Sequence, residues 1–422
     1  MSMQKEFSLP AWAQGTNIYE VNIRQYTPEG SFKAFQTHLP RLKKMGVEVL
    51  WLMPITPISK KIRQGSLGSY YACSSYTEIN PEFGNINDFK ALVNAAHELG
   101  MKLIIDWVAN HTGWDHHWTV EHPDWFMQDA EGNFTEKNGW HDVIDLNFEN
   151  HAMRTALIAA MQYWVKETKI DGFRCDMAHL VPLDFWKAAR RVCDAEKPLL
   201  WLAECEVVEY HHVFNISYAW WWMHETDKYY KGESTLVTIN NVLHAYSQYP
   251  DGAYKLFFTT NHDENSWNGT EYEKYGIAAK AWAVFTCTWP RSIPLIYSGQ
   301  EAANKKRMKF FDKDLFNWQQ DFVLESFYTT LLNLRSSSAA IKTGECFLLP
   351  TSNEVVGFFR KKEKEIVLVL LNISTTQKQI ISVEHEWLTG DFKSIFSGIH
   401  YSTNGKEKFE LMPGEFLVCR KG

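Results

Sequence analysis

The chain reads as an α/β protein, a closed (β/α)8 barrel of the TIM type followed by a smaller all-β sandwich domain. Three observations carry that reading. Runs rich in β-branched and aromatic residues alternate with helical patterns from the N-terminus to about residue 338, the signature of parallel α/β architecture. The alternation yields eight units, enough to close a barrel. After Ser338 the helical patterns stop and only short β-rich runs remain.

The first strand falls in "NIYEVNI" (17 to 23), followed by one helix through "SFKAFQTHLPRLKKMG" that ends at Gly46. "VEVLWLMP" (47 to 54) is the second strand, and "NDFKALVNAAHELG" is a helix stopped by Gly100. "KLIIDWV" (102 to 108) is the third strand, after which a polar, aromatic stretch without clear period runs to about residue 150. A long helix through "AMRTALIAAMQYWVKE" leads to the fourth strand, "GFRCD" (172 to 176), its helix "DFWKAARRVCDAE", and the fifth strand, "LLWLAEC" (199 to 205). "FNISYAW" is the sixth, with the helix "TLVTINNVLHAYSQY" keeping Leu236, Ile239, Leu243 and Tyr246 at helical spacing. "KLFFTTN" (255 to 261) and "IPLIYSG" (293 to 299) are the seventh and eighth strands, and a helix through "FYTTLLNLRSS" closes the barrel. The β-rich runs "VVGFFRKK", "EIVLVLLNIS", "KQIISVE" and "EFLVCRK" then form a separate domain of about 80 residues.

Composition narrows the function. The chain has 422 residues, 45% of them hydrophobic and 22% charged, which is ordinary for a globular protein with a sizeable core. Aromatics reach 15%, with 18 Trp and 18 Tyr, and such a surplus favours stacking surfaces, sugar faces among them. A net charge of −7 without a Lys/Arg block argues against nucleic-acid or anionic-membrane partners. "MSMQKEFSLPAWAQG" lacks the apolar run of a signal peptide, and no stretch of about 18 uncharged apolar residues occurs. Seven scattered cysteines without a CxxC pair fit buried thiols in a reducing compartment. The expectation is a cytoplasmic protein with no membrane and no nucleic-acid partner.

In a closed βα barrel, chemistry sits at the C-terminal ends of the strands. Asp106, Asn110 and His111 end the third strand, Arg174 and Asp176 the fourth, Glu204 the fifth, and His262 and Asp263 the seventh. Arg174 and Asp176, two apart on a strand, share one face, here the barrel interior. A guanidinium beside Asp176 favours its ionised form, suited to a nucleophile. Glu204 follows "LLWLA" without a cation nearby in sequence, and burial would push it toward a general-acid role. Two carboxyls in such opposed settings are the arrangement that glycosidases use. Cys175 and Cys205, each beside one of these carboxylates, point to the other face and read as packing residues.

With these residues in place, "DWVANH" (106 to 111), "GFRCD" (172 to 176), the glutamate of "WLAEC" (201 to 205) and "TNHD" (260 to 263) resemble the four ordered signature regions of the alpha-amylase family, glycoside hydrolase family 13. "GTNIYEVNIRQY", "GSYYACSSYTEINPEFG" and "IPLIYSGQE" support the likeness, which covers residues 15 to about 335 in order. The resemblance implies a retaining α-glycosidase barrel in residues 1–106 and 151–338, a small inserted domain in 107–150, and a C-terminal β-domain in 339–422. Motif by motif, it implies Asp176 as nucleophile, Glu204 as acid/base and Asp263 as the carboxylate that binds sugar hydroxyls. It also implies that Arg174, His111 and His262 complete the cleavage subsite beside Asp106, and that Tyr71 stacks on the sugar. Several family members carry Lys-His three and four residues after the nucleophile; here His179 and Leu180 stand there, so contacts on the leaving-group side depart from the pattern.

Asn110 and Asp145 match positions that hold a structural calcium in many relatives, with Leu180 able to offer a carbonyl, and oxygen ligands suit that ion. His116, His117, His122 and His141 crowd the insert at spacings that fit no zinc pattern, and read as solvated loop histidines. One indole of "AWWWMH" (219 to 224) is a candidate platform beyond the cleavage point. Glu264, Asn265 and Trp267 follow the seventh strand and are further candidates to touch substrate. The expected activity is hydrolysis of α-1,4-linked glucans or maltooligosaccharides, the short insert leaving the cleft open. The alternatives are a transglycosylase or a cyclomaltodextrin- or maltose-acting enzyme on the same residues. A non-catalytic carbohydrate-binding barrel is the rival of another class, and it would be expected to have lost one of the three carboxylates.

Overall fold

The computed structural model describes residues 6–318 and 322–422. The described chain divides into two compact units. One is built from the chain up to Ala13, from Ile18–Tyr218 and from Met308–Phe316; the other from Gln14–Asn17, Ala219–Arg307 and the chain from Asn317 onward.

All eight predicted barrel strands form: Ile18–Val21, Val49–Leu52, Lys102–Trp107, Gly172–Cys175, Leu200–Ala203, Ile216–Tyr218, Tyr254–Phe257 and Ser292–Tyr297. They close a parallel barrel in sequential order, the first strand beside both the second and the eighth. Nearly every strand residue is buried on both faces, which explains why the strands read as continuous apolar runs instead of alternating ones. Gly172 opens the fourth strand because a Cβ there would sit 2.1 Å from the Leu200 carbonyl oxygen of the fifth.

The helix expected through residues 31 to 46 is two helices, Phe32–Gln36 and Leu39–Met45. Pro40 has no N–H to give a continuing helix and sits instead in the first turn of the second one, where none is needed. Gly46 ends that helix in the left-handed conformation, φ 102°. Asn85, in a capping box with Asp88, starts Ile86–Glu98, and Asn150 starts His151–Thr168. Among the described residues two helices of ten residues or more escaped the sequence reading, Trp220–Tyr230 and Ala279–Thr288, besides several short ones. The second is buried at nearly every position and so carries no polar face to set a period.

The segment between the third strand and the helix at 151 contains a two-stranded antiparallel ribbon, His111–Gly113 against Val143–Asp145. The C-terminal region is a six-stranded antiparallel half-barrel sheet over Glu345–Lys421. Its two halves, Val355, Phe359, Leu368 and Leu370 on one side and Ile381, Val383, Phe409 and Leu411 on the other, share one core, which gives the two layers expected of a sandwich from one continuous sheet. Among the described residues no helix is long and apolar enough to cross a membrane.

Candidate active site

Strand register builds the centre of the first unit. Asp106 on the third strand pairs directly with Arg174 on the fourth, so both side chains leave the sheet on the same face. One residue beyond their strands, Asp176 N–H donates to the Trp107 carbonyl at 3.0 Å and Glu204 N–H to the Cys175 carbonyl at 3.0 Å, carrying the ladder to both carboxylates.

Arg174 is the hub. Its Nη1 donates to Asp106 Oδ1 at 3.0 Å and to Asp176 Oδ1 at 2.9 Å, its Nη2 lies 2.7 Å from Glu204 Oε2, and its Nε donates to the Tyr218 hydroxyl at 3.1 Å. The guanidinium is fully buried and lies over the rings of Trp51, Tyr71 and Tyr218, 5.0 to 5.8 Å from their centroids. Burial opposes its charge, but Asp106, Glu204, Tyr218 and Tyr71 hold the proton more firmly and push its pKa well above the ordinary arginine value. Glu204 has no cation near it in sequence, but pairing of the fourth and fifth strands brings Arg174, thirty positions away, onto it, so burial alone does not set its surroundings.

Asp106 is held from its other side by Trp51 Nε1–H at 3.2 Å and the Tyr71 hydroxyl at 3.1 Å. Tyr71 in turn stacks on Phe310, centroids 6.2 Å apart and planes 18° apart. Met177, next to Asp176, adopts φ 39° and ψ 45°, a left-handed conformation unusual outside glycine, and its N–H donates to Glu204 Oε2 at 2.9 Å. That turn ties the end of the fourth strand to the carboxylate ending the fifth.

His111 is buried and its pKa is pushed down to about 4 by desolvation, so the ring is neutral at pH 7 and offers one N–H and one lone pair. It stands edge-on to Trp140 at 5.3 Å. His179 is the exposed residue of the turn Ala178–Leu180, and its carbonyl accepts from the Tyr210 hydroxyl at 3.2 Å. In the second unit, His262 is buried and Asp263 follows it with its side chain 35% exposed, His262 Nε2 lying 3.3 Å from Asp263 Oδ2.

The comparisons with known proteins bear on what this centre is. Residues 12–200 match the family model "Alpha amylase, catalytic domain", and residues 346–418 match "Maltogenic Amylase, C-terminal domain". The solved structure of an alpha-amylase from Lactobacillus plantarum is similar at 30% identity with a TM-score of 0.88, covering 98% of this chain and 100% of that one. The chain belongs to the alpha-amylase family, glycoside hydrolase family 13. A noncanonic maltogenic alpha-amylase from Thermotoga neapolitana is similar at 29% identity, with a TM-score of 0.89 and coverage of 97% and 99%. Alpha-amylase MalA of Haloarcula japonica is 26% identical over 403 residues, 89% of this chain; the match spans 58% of that relative's length.

For this family member, several residues of the centre went unread in the sequence: Trp51, Tyr218, Phe310 and the backbone of Met177. The first two could have been found, since each sits on a barrel strand at a position whose side chain carries a polar atom into an apolar interior. Of the three consecutive tryptophans, Trp222 is core, stacked on Phe285; Trp221 is exposed; Trp220 stacks on His224 at 5.5 Å. Among the insert histidines, His117, His122 and His141 are exposed as expected, but His116 is buried against Tyr76 and Trp118, which pushes its pKa down to about 3. Asn110 Nδ2 donates to Asp145 Oδ1 at 3.3 Å and lies 3.2 Å from His111 Nδ1, which brings the two residues of the calcium expectation together. Among the described residues no group of three or more His, Cys, Asp or Glu gathers that could hold a metal.

Proposed function

We propose that the protein is a retaining α-glucan hydrolase that cleaves α-1,4-glucosidic bonds in starch-type polymers or maltooligosaccharides by double displacement. The observation that carries this reading is that Asp106, Asp176 and Glu204, from three successive strands around the barrel, all rest on one buried guanidinium. One positive charge faces three carboxyls, so holding a proton on one of them is favoured over ionising all three. Glu204, which ends the fifth strand beside Asp176 and answers to the glutamate of the family's third signature region, is the group we assign the acid/base role.

Glu204 then protonates the glycosidic oxygen as Asp176 attacks the anomeric carbon, giving a β-linked glycosyl ester. Water, deprotonated by Glu204, releases the sugar with net retention, a route that requires the two carboxyl groups to stand ~5–5.5 Å apart. Asp263 binds sugar hydroxyls, His111 and His262 donate to others, and Tyr71 supplies a ring face. The neutral state of His111 suits it to donate without adding charge.

Cyclomaltodextrinase and transglycosylase chemistry use the same residues. The second reading is favoured by the maltogenic-type C-terminal region and by a cyclomaltodextrinase of a Bacillus species that is 25% identical over 87% of this chain. Seven cysteines that form no disulfide among the described residues, most of them buried, support a reducing, cytoplasmic setting. The test is digestion of maltoheptaose followed by proton NMR. New α-anomer appearing before mutarotation supports retention; β-anomer first refutes it. No turnover of maltoheptaose, maltose, cyclodextrin or pullulan refutes the enzyme reading and favours a binding protein. Preference for cyclodextrin, or products longer than the substrate, selects the second reading.

A further inference from the structure

Two buried charges in the second unit lie on one short helix and bracket the loop that carries Asp263. From Phe257, the end of the seventh strand, the chain runs buried through Thr259, Asn261 and His262 to Asp263. A single π-helical turn, Glu264–Asn268, follows, an irregularity that concentrates at functional sites. Thr270 then caps the helix Glu271–Tyr275 in a capping box with Glu273.

Glu271 and Lys274, three apart on one face of that helix, reach back to opposite sides of Asp263. Glu271 Oε2 accepts from Thr259 Oγ1 at 2.7 Å and from Gln300 Nε2 at 2.6 Å, fastening the stretch before Asp263 to the residues that follow the eighth strand. Lys274 Nζ pairs with Glu264 Oε2, the residue directly after Asp263, and donates to Met223 Sδ at 3.7 Å. Glu264 Oε1 accepts from Asn268 Nδ2 at 2.8 Å, and Glu264 N–H donates to Asn261 Oδ1 at 2.8 Å. The ion pair is sealed, Lys274 and Glu264 having side chains 2% and 4% exposed.

A buried ion pair is a poor source of stability, since a well-packed apolar pair of the same volume serves as well or better. What it supplies is a fixed direction for the group next to it. We propose that Lys274, through its pair with Glu264, is a positioning residue that holds Asp263 in register with the sugar ring; this rests on reading Asp263 as the substrate-binding carboxylate. Lys274 touches no substrate and acts only through the Asp263 loop.

The test compares Lys274→Met, the pair-neutralised Glu264→Gln/Lys274→Met, Asp263→Asn, and Lys274→Met combined with Asp263→Asn, reading kcat and KM on maltoheptaose beside Tm. Loss of positioning lowers kcat of Lys274→Met by about 30- to 100-fold. The pair-neutralised variant regains Tm, because no unpaired charge is left buried, while its kcat stays low. In the Asp263→Asn background, Lys274→Met adds less than about threefold, the signature of two residues acting through one group. Recovery of kcat together with Tm overturns the proposal, as does a full multiplication of the two losses. Wild-type turnover by Asp263→Asn alone refutes the underlying role of Asp263, an outcome distinct from either.

Discussion

Arg174→Lys separates the charge of the hub from its geometry. The substitution keeps one positive charge but replaces three separate nitrogens, each with its own partner, by one ammonium. An ammonium placed to hold Asp106 and Asp176 has no reach left for Glu204 and Tyr218. The variant loses two contacts that involve a charged group, each worth about 1.5–3 kcal/mol, for a total of about 3–6 kcal/mol shared between stability and barrier. About 3 kcal/mol on the barrier is roughly a 10²-fold fall in kcat/KM. Initial rates on maltoheptaose, with calorimetric Tm measured on the same sample, check this. A kcat/KM within about threefold of wild type would mean that charge alone suffices, and the argument that the guanidinium fork fixes the three carboxylates would be wrong.

Acid sensitivity follows from the buried histidines. Those of His111 and His116 sit at about 4 and about 3 in the fold, below the ordinary value of 6.5, so the unfolded chain binds protons that the fold refuses. Stability is full above about pH 6.5 and falls as pH drops toward the folded values, by up to ~1.4 kcal/mol per pH unit for each histidine. Urea unfolding between pH 7.5 and 5 should show the slope, and His116→Gln should flatten it by about half; an unchanged slope would place the acid sensitivity elsewhere. Calcium at Asn110 and Asp145 predicts a Tm that falls by several degrees on dialysis against EDTA and returns on adding back the ion, and an unchanged Tm would refute it.

The barrel was legible because each strand is buried on both faces, so "VEVLWLMP" or "LLWLAEC" stands out as an apolar block wherever it lies. Helix boundaries were legible where a capping residue or glycine marked them, as at Asn85 and Gly46, and misread where Pro40 divides one periodic stretch into two helices. Trp220–Tyr230 was hidden because its tryptophans serve a surface, a stacked pair and the core at once, which no single period describes. The carboxylates were legible as isolated charges at the ends of apolar runs. Their mutual charge environment was not, because Arg174 reaches Glu204 only when the fourth and fifth strands pair. Nor does sequence order reveal that Met177 adopts a left-handed turn to bring its N–H to Glu204.

Attack by Asp176 on the anomeric carbon leaves a covalent glycosyl ester that can be trapped. Incubation with 5-fluoro-α-D-glucosyl fluoride, followed by protease digestion and mass spectrometry, tests it by trapping the glycosyl ester. The expected product is one added fluoroglucosyl group on the peptide that contains Asp176, formed slowly and released on adding a maltooligosaccharide acceptor, with Asp176→Asn unlabelled. A label on Glu204 or on Asp106, or turnover of the fluoride with inversion and no label at all, would contradict it.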